Sequence, residues 1–283
     1  ISILNRSFNP AYKISWLLVV FLIPFAGPFF YLMFGKRYFS KKRIKKLIKL
    51  RQDTLHQLKR NYRDIDFGNS DVNKISHYIT SVTGLPAWEN TDSQLLTPGE
   101  KFFEVFLEEL KQAEKFIFLE YFILEDGYMW QAIKEILIKK VQEGVEVRLL
   151  YDDFANVNRI SSAFKKDLIK QGIHVINFNP YRPRLSMVIN YRDHRKITVI
   201  DGNVAFVGGI NIADEYINKI ERFGYWKDAA IMLRGDAVWN LTFLFLEMWQ
   251  SSSTETFDYD RYYPTKIYPT NGYVQPFGDG PQD

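Results

Sequence analysis

The stretch His194-Arg195-Lys196-Ile197-Thr198-Val199-Ile200-Asp201-Gly202, with its return Val204-Ala205-Phe206-Val207-Gly208-Gly209-Ile210-Asn211, decides how this chain folds and what it handles. Lys196 stands two residues beyond His194, so on an extended strand both side chains share a face. The apolar run from Ile197 to Ile200 carries that strand into a core. Asp201-Gly202 is a hairpin turn signal, and Val204 to Val207 returns as the partner strand. Gly208 and Gly209 allow backbone to approach a ligand closely, and Asn211 can donate an amide hydrogen to a phosphate oxygen. A neutral imidazole attacks phosphorus, and an ammonium beside it offsets the charge that gathers on the equatorial oxygens. A merely structural histidine leaves the Lys at +2, the Asp at +7 and the Gly-Gly-x-Asn tail unexplained. Such a scheme requires neither metal nor cofactor.

Outward from the motif, helix and strand alternate. Thr97-Pro98-Gly99-Glu100 has the form of a capping box, and a helix to about Glu114 carries Phe102, Phe103, Phe106, Leu107 and Leu110 on one stripe. Lys115 to Leu124 reads as a strand, a helix follows Asp126-Gly127 and ends at Gly144, and residues 145–151 form the next strand. A helix from about Ile160 closes at Gly172, then residues 173–178 and 229–233 add strands around the motif hairpin. A helix from Gly235 to about Gln250 closes the unit, with Val238, Leu241, Leu244, Phe245 and Met248 as its apolar stripe and Trp239 and Trp249 as packing residues. This order predicts an α/β layered domain with a mixed, largely parallel sheet flanked by helices. Residues 52–96 read as a connector packed on that domain.

Charge divides the chain. Residues 1–63 hold 14 Lys or Arg against Asp53 alone, a net +13, while the remaining 220 residues hold 23 bases and 32 acids, a net −9. The basic pI of 8.9 therefore belongs to the N-terminal arm, and an acidic body argues against a nucleic-acid partner. From Ile14 to Phe34 no residue is charged, about enough helix for a bilayer core of roughly 30 Å. Pro24 and Pro28 leave two geometries open, a kinked span or a re-entrant hairpin. Lys36-Arg37, Lys41-Lys42-Arg43, Lys45-Lys46, Lys49 and Arg51 follow at once. Such a collar faces the cytoplasm and draws anionic lipid headgroups. The chain has no cysteine, hence neither disulfides nor a thiolate nucleophile.

The remaining candidates are weaker. Asp152-Asp153 ends a strand where sheet-edge ligands sit, but no other metal-site residue accompanies it. His56, His77 and His174 have no partner pattern. No Walker loop, no Gly-x-Gly-x-x-Gly after a strand and no His/Cys cluster is present.

His194-x-Lys196-x4-Asp201-x6-Gly208-Gly209-x-Asn211 resembles the signature of the phospholipase D superfamily, whose members carry it once per structural half. The wider match, Asn190-Tyr191-Arg192-Asp193-His194-Arg195-Lys196 and then Gly224-Tyr225-Trp226-Lys227-Asp228, is similar to bacterial cardiolipin synthases, and the likeness runs to about Pro281. The resemblance implies phosphatidyl transfer between two phosphatidylglycerol molecules, with His194 as nucleophile, Lys196 and Asn211 on the phosphate oxygens and Asp228 orienting the imidazole. It places Glu120 and Tyr121 near the site, and Asp201 at the turn with the least certain role. It also implies a second motif, which the chain lacks. The expected division is thus a membrane segment in residues 1–35, the second transmembrane helix of a longer protein, and a basic juxtamembrane region in 36–66. A phospholipase D-like catalytic half in 67–252 follows, then a linker opening the missing second half in 253–283. Such a fragment, at the cytoplasmic face of the cell membrane, is expected to be inactive alone unless two copies pair. The other readings are a membrane-anchored dimeric phosphodiesterase, nuclease or phospholipase D hydrolase, and a non-catalytic membrane-binding module.

Overall fold

The computed structural model describes residues 3–4, 10–35, 41–58, 65–180 and 192–278, without the side chains of 33, 41–45 and 47. Lys36-Arg37, Asn190-Tyr191, the side chains of Lys41, Lys42, Arg43 and Lys45, and residues 279–283 therefore lie outside the described residues.

Among the described residues seven strands form one sheet, in the order β1-β7-β6-β5-β2-β3-β4. They are β1 (Thr91–Leu96), β2 (Phe116–Tyr121), β3 (Glu146–Asp152), β4 (His174–Phe178), β5 (Lys196–Ile200), β6 (Val204–Gly208) and β7 (Ala230–Gly235). The sheet is mixed as expected, but it is not largely parallel. Only β2 with β3 and β3 with β4 run parallel, and the other four pairs are antiparallel. The physical reason lies in the connections. Helices α6 (Tyr128–Gln142) and α8 (Phe164–Lys170) return the chain to the starting edge after β2 and β3, which yields parallel neighbours. The Asp201-Gly202 hairpin needs no crossover, so β5 and β6 are antiparallel, and β5 itself lies antiparallel to β2. Strand β1 escaped the sequence reading because Thr91-Asp92-Ser93-Gln94 is polar. It is an edge strand, and the middle of its run is exposed.

Alternation along β2 feeds two cores. Ile117, Leu119 and Tyr121 pack with α5 (Gly99–Lys111), α6 and α8. Phe116 and Phe118 face α9 (Val238–Ser252), with Phe118 stacked on Phe245 at 4.5 Å. A single buried stripe was expected on α9, yet 14 of its 15 residues are buried. Helix α3 (Lys41–Leu58) covers its outer side, and Lys46 Nζ donates to the carbonyls of Gln250 and Ser253 at its end, at 2.9 and 2.8 Å. A helix buried all round needs such a lid. Gly144 ends α6 in the left-handed region as expected, φ 90°. The capping box is not formed, because the Thr97 hydroxyl donates to the carbonyl of Asp228 instead.

At the N-terminus the apolar run does not form one helix. Helix α1 (Pro10–Leu22) is followed by a turn, then the short α2 (Ala26–Phe30) and a wider turn over Tyr31–Gly35. These fold back on α1: the Trp16 and Tyr31 rings lie 5.5 Å apart, and the Tyr12 hydroxyl donates to the Gly35 carbonyl at 3.1 Å. A Cβ on Gly27 would come within 2.5 Å of the Val19 carbonyl, so a glycine permits this approach. Pro24 sits in the turn, where its missing donor costs no helical bond. Among the described residues no helix is long and apolar enough to cross a membrane; of the two geometries left open, a kinked span and a hairpin, the described residues form a folded-back pair and not one continuous helix. Its tip exposes Phe21, Leu22 and Phe25 at 80%, 78% and 95%.

Candidate functional site

The carboxyl ends of β2 and β3 and the amino end of β5 meet at one edge of the sheet, because β5 runs antiparallel to β2. His194 stands just before β5 at this edge and is exposed. Its ring meets the Phe122 ring edge-on at 4.7 Å. Lys196 opens β5 and is buried. Its Nζ donates to the His194 carbonyl at 2.7 Å and lies 5.4 Å from the Phe122 centroid. Burial pushes the Lys196 ammonium down to about 8, against the pull of Asp193 and Asp228. Burial and then the Lys196 charge hold His194 below the ordinary imidazole value, while Asp193 opposes them. A neutral imidazole beside a cation is what attack on an anionic phosphodiester calls for.

Asn211 is buried and joins two loops. Its carbonyl accepts the Ile123 N–H at 2.9 Å, and its amide donates to the Tyr216 hydroxyl at 2.9 Å. An amide nitrogen carries two hydrogens, so one remains for a phosphate oxygen. Asp228 accepts its neighbour's backbone N–H, from Ala229, at 2.8 Å and the Trp226 indole N–H at 3.4 Å. No hydrogen bond between Asp228 and the His194 ring is formed among the described residues; Asp228 bears on the site through its charge on Lys196. The two motif glycines serve this wall. A Cβ on Gly209 would collide with Asp228 Oδ1, and one on Gly208 would meet the Ala229 carbonyl at 2.5 Å. They bring β6 against the start of β7, where the sequence suggested room for a ligand.

The structure does not bring Asp201 to this place. It lies at the other end of β5, about 17 Å along an extended strand from Lys196. Its carboxylate accepts the backbone N–H groups of Glu114, Lys115 and Phe116 at 2.9, 2.7 and 2.9 Å. Tyr121 is a core residue whose hydroxyl meets that of Thr198 at 2.9 Å. Asp152 caps a short helical turn through the Ala155 N–H at 3.0 Å and accepts the Asp193 N–H at 3.2 Å. Asp153 accepts from the Asn177 amide at 2.8 Å. Among the described residues no group of three or more His, Cys, Asp or Glu is gathered as metal ligands would be. His56 lies on α3, His77 on α4 (Ser70–Thr83), and His174 begins β4 at the opposite edge of the sheet, each exposed.

Sequence reasoning missed Phe122, Asp193 and Tyr216. An aromatic residue just past a strand end was the available sign for Phe122. Asp193 stood in the quoted match without a role, because Asp152 and Glu120, which it meets, lie on other strands, and Tyr216 meets Asn211 across a loop, so spacing carried no sign of either role.

Residues 106–226 match the family profile described as cardiolipin synthase, PLD-like domain, and residues 1–36 match that of the phospholipase D-nuclease N-terminal region. An uncharacterised protein of Streptococcus mutans is 40% identical over 99% of this chain and 62% of its own length. A cardiolipin synthase of Geobacillus is 37% identical over 99% of this chain and 57% of its own length. The chain thus spans less than two thirds of the curated relatives it matches. A solved phosphatidylserine synthase of Haemophilus influenzae overlays with a TM-score of 0.49 at 14% identity, covering 67% of this chain and 45% of that one.

Proposed function

The chain belongs to the phospholipase D superfamily through a domain of the cardiolipin synthase type, and on that premise we propose that it supplies one half of the site of a phosphatidyltransferase that makes cardiolipin. His194 attacks the phosphorus of one phosphatidylglycerol. The bond to glycerol breaks, and glycerol leaves with a proton from a general acid. A hydroxyl of a second phosphatidylglycerol then attacks the phosphorus of the phosphatidyl-histidine, gives its proton to the same group, and frees His194. Lys196 and the remaining Asn211 hydrogen hold the phosphate oxygens, and Asp228 supports the cation. Asp201 acts on the fold. The observation that carries this reading is the placement of an exposed His194, held below its ordinary pKa, over the buried Lys196 cation.

The general acid calls for a pKa near neutrality, and a second histidine suits it. None of the other three histidines accompanies His194 at its edge of the sheet, so the acid comes from a further motif of a longer chain or from a second copy. Without that partner this half does not turn over. Residues 1–35 and the basic residues after them hold the catalytic unit at the cytoplasmic face of the cell membrane, supported by the apolar tip of the folded-back pair.

Labelled phosphatidylglycerol tests the proposal. The full-length protein should release glycerol and form cardiolipin, and His194→Ala should abolish both. Release of phosphatidic acid without cardiolipin would make it a hydrolase. Turnover untouched by His194→Ala would sink every catalytic reading.

A further inference from the structure

Behind His194, on the α9 side of the sheet, lies a buried ionic cluster that the reaction does not use. Glu120 of β2 is fully buried, and neither of its carboxyl oxygens meets a hydrogen-bond donor among the described residues. Its nearest cation is Arg195, with Nη1 at 3.7 Å. Asp193, 3% exposed, turns one oxygen to the backbone N–H of Arg195 at 3.2 Å, while its other oxygen has no donor. Glu247 of α9 completes the acids and faces Arg51 of α3 at 3.8 Å. The oxygens that Glu120 and Asp193 turn to each other have no hydrogen between them, and a dry interior does not tolerate two ionised carboxylates in contact. One proton shared by the pair cures this. It belongs on Glu120, because Asp193 also has the Arg195 N–H and the nearby Lys196 charge to stabilise its ionised form. Burial, then the Asp193 charge, raises Glu120 well above the usual carboxylate range against the pull of Arg195, with Glu247 adding to the rise.

We propose that Glu120 is a positioning residue: as a neutral acid it donates a hydrogen bond to Asp193 and so holds the Arg192–Arg195 lead-in that presents His194. The same lead-in is also gripped by Asp152 at the end of β3, which accepts the Asp193 N–H at 3.2 Å and faces Arg192 at 3.6 Å. His194 thus stands between two residues fixed by strand ends, although its own ring is exposed. Ionising Glu120 would place two negative charges face to face and loosen the turn.

The effect on turnover rests on the function proposed above, but the physical readouts need no substrate. Infrared difference spectra of the full chain at pH 7 should show a neutral carboxylic acid that Glu120→Gln removes. The His194 ring can be followed by NMR, since the chain has only four histidines. In Glu120→Ala its titration should move up toward the ordinary imidazole value, and turnover should fall about a hundredfold for a displaced nucleophile. Glu120→Gln keeps a donor facing Asp193 and should leave the His194 titration where it is. An absent neutral-acid signal, or a folded Glu120→Ala with an unmoved His194, overturns the proposal. If Glu120→Ala does not fold, the infrared difference and Glu120→Gln decide: a lost band with His194 unmoved supports it, and a moved titration overturns it. Turnover is read in the full-length protein with its partner half present, and a parent of that kind without lipid turnover would count against the proposed function while leaving both spectroscopic results standing.

Discussion

At its amino end β5 presents an exposed imidazole before a buried ammonium, with Asp228 and Asn211 nearby on loops from β6 and β7. At its carboxyl end the motif aspartate is consumed by three backbone N–H groups, at 2.7 to 2.9 Å. One motif therefore serves two jobs at the two ends of one strand. The amino end is left with capacity for a ligand, and the carboxyl end spends all of its capacity on the fold. A regular spacing in sequence does not separate the two, since a strand carries its ends apart by about 3.3 Å per residue.

Substitutions should divide along that line. His194→Ala should lower turnover more than about a thousandfold, with an unchanged melting midpoint, because the exposed ring packs on little besides Phe122. Lys196→Ala should cost about a hundredfold or more in turnover, the scale of removing one charge-stabilising donor. A Lys196→Ala loss smaller than that of Asp201→Ala would break the comparison.

The pH profile tests the same end. His194 must be neutral and Lys196 charged, so turnover should rise through a pKa below the ordinary imidazole value and fall again near the Lys196 value of about 8. Stability should behave differently at the alkaline limb. The folded Lys196 gives up its proton before the unfolded one, so between about 8 and the ordinary lysine value the unfolded chain binds more protons and folding gains with pH on this account. Melting curves across that window, compared with Lys196→Met, isolate the contribution. A turnover limb absent from the Lys196 range would remove the cation from the reaction.

Gly209→Ala forces the start of β7 away from β6 and displaces Asp228. It should cost about 1–3 kcal/mol, as overpacking does, and about tenfold in turnover. Asp201→Ala should be the mildest for the reaction. It strands three backbone donors and should destabilise by about 2–3 kcal/mol, yet turnover per folded molecule should stay within about twofold, since it lies some 17 Å along the strand from Lys196. Denaturant titration beside rate measurement separates the two, and an Asp201→Ala protein that is stable but inactive would return Asp201 to the chemistry.

Much of the architecture was legible because its causes are local. The hairpin at Asp201-Gly202, the stop at Gly144 and the stripe of α5 follow from turn chemistry and periodicity. The parallel character of the sheet was overestimated, since alternating helix and strand describes only β2 to β4. The apolar arm was legible as uncharged, with a kinked span and a folded-back hairpin both open, because a proline marks a break without giving its angle. Strand β1 hid because an edge strand with a wet face resembles a polar loop.

What the amino-acid order determined by itself was the place of His194 two residues ahead of Lys196 at the start of a strand, the turn after that strand, and the opposite charges of arm and body. Each depends on neighbours within a few residues. Only the tertiary structure decided that Asp201 holds the segment 87 residues before it, that Asn211 ties to Ile123 across 88 residues, and that Glu120 stands behind the nucleophile against Asp193. A polar side chain with several acceptor sites takes whichever donor the packed sheet brings near, and strand order, rather than sequence spacing, brings it there.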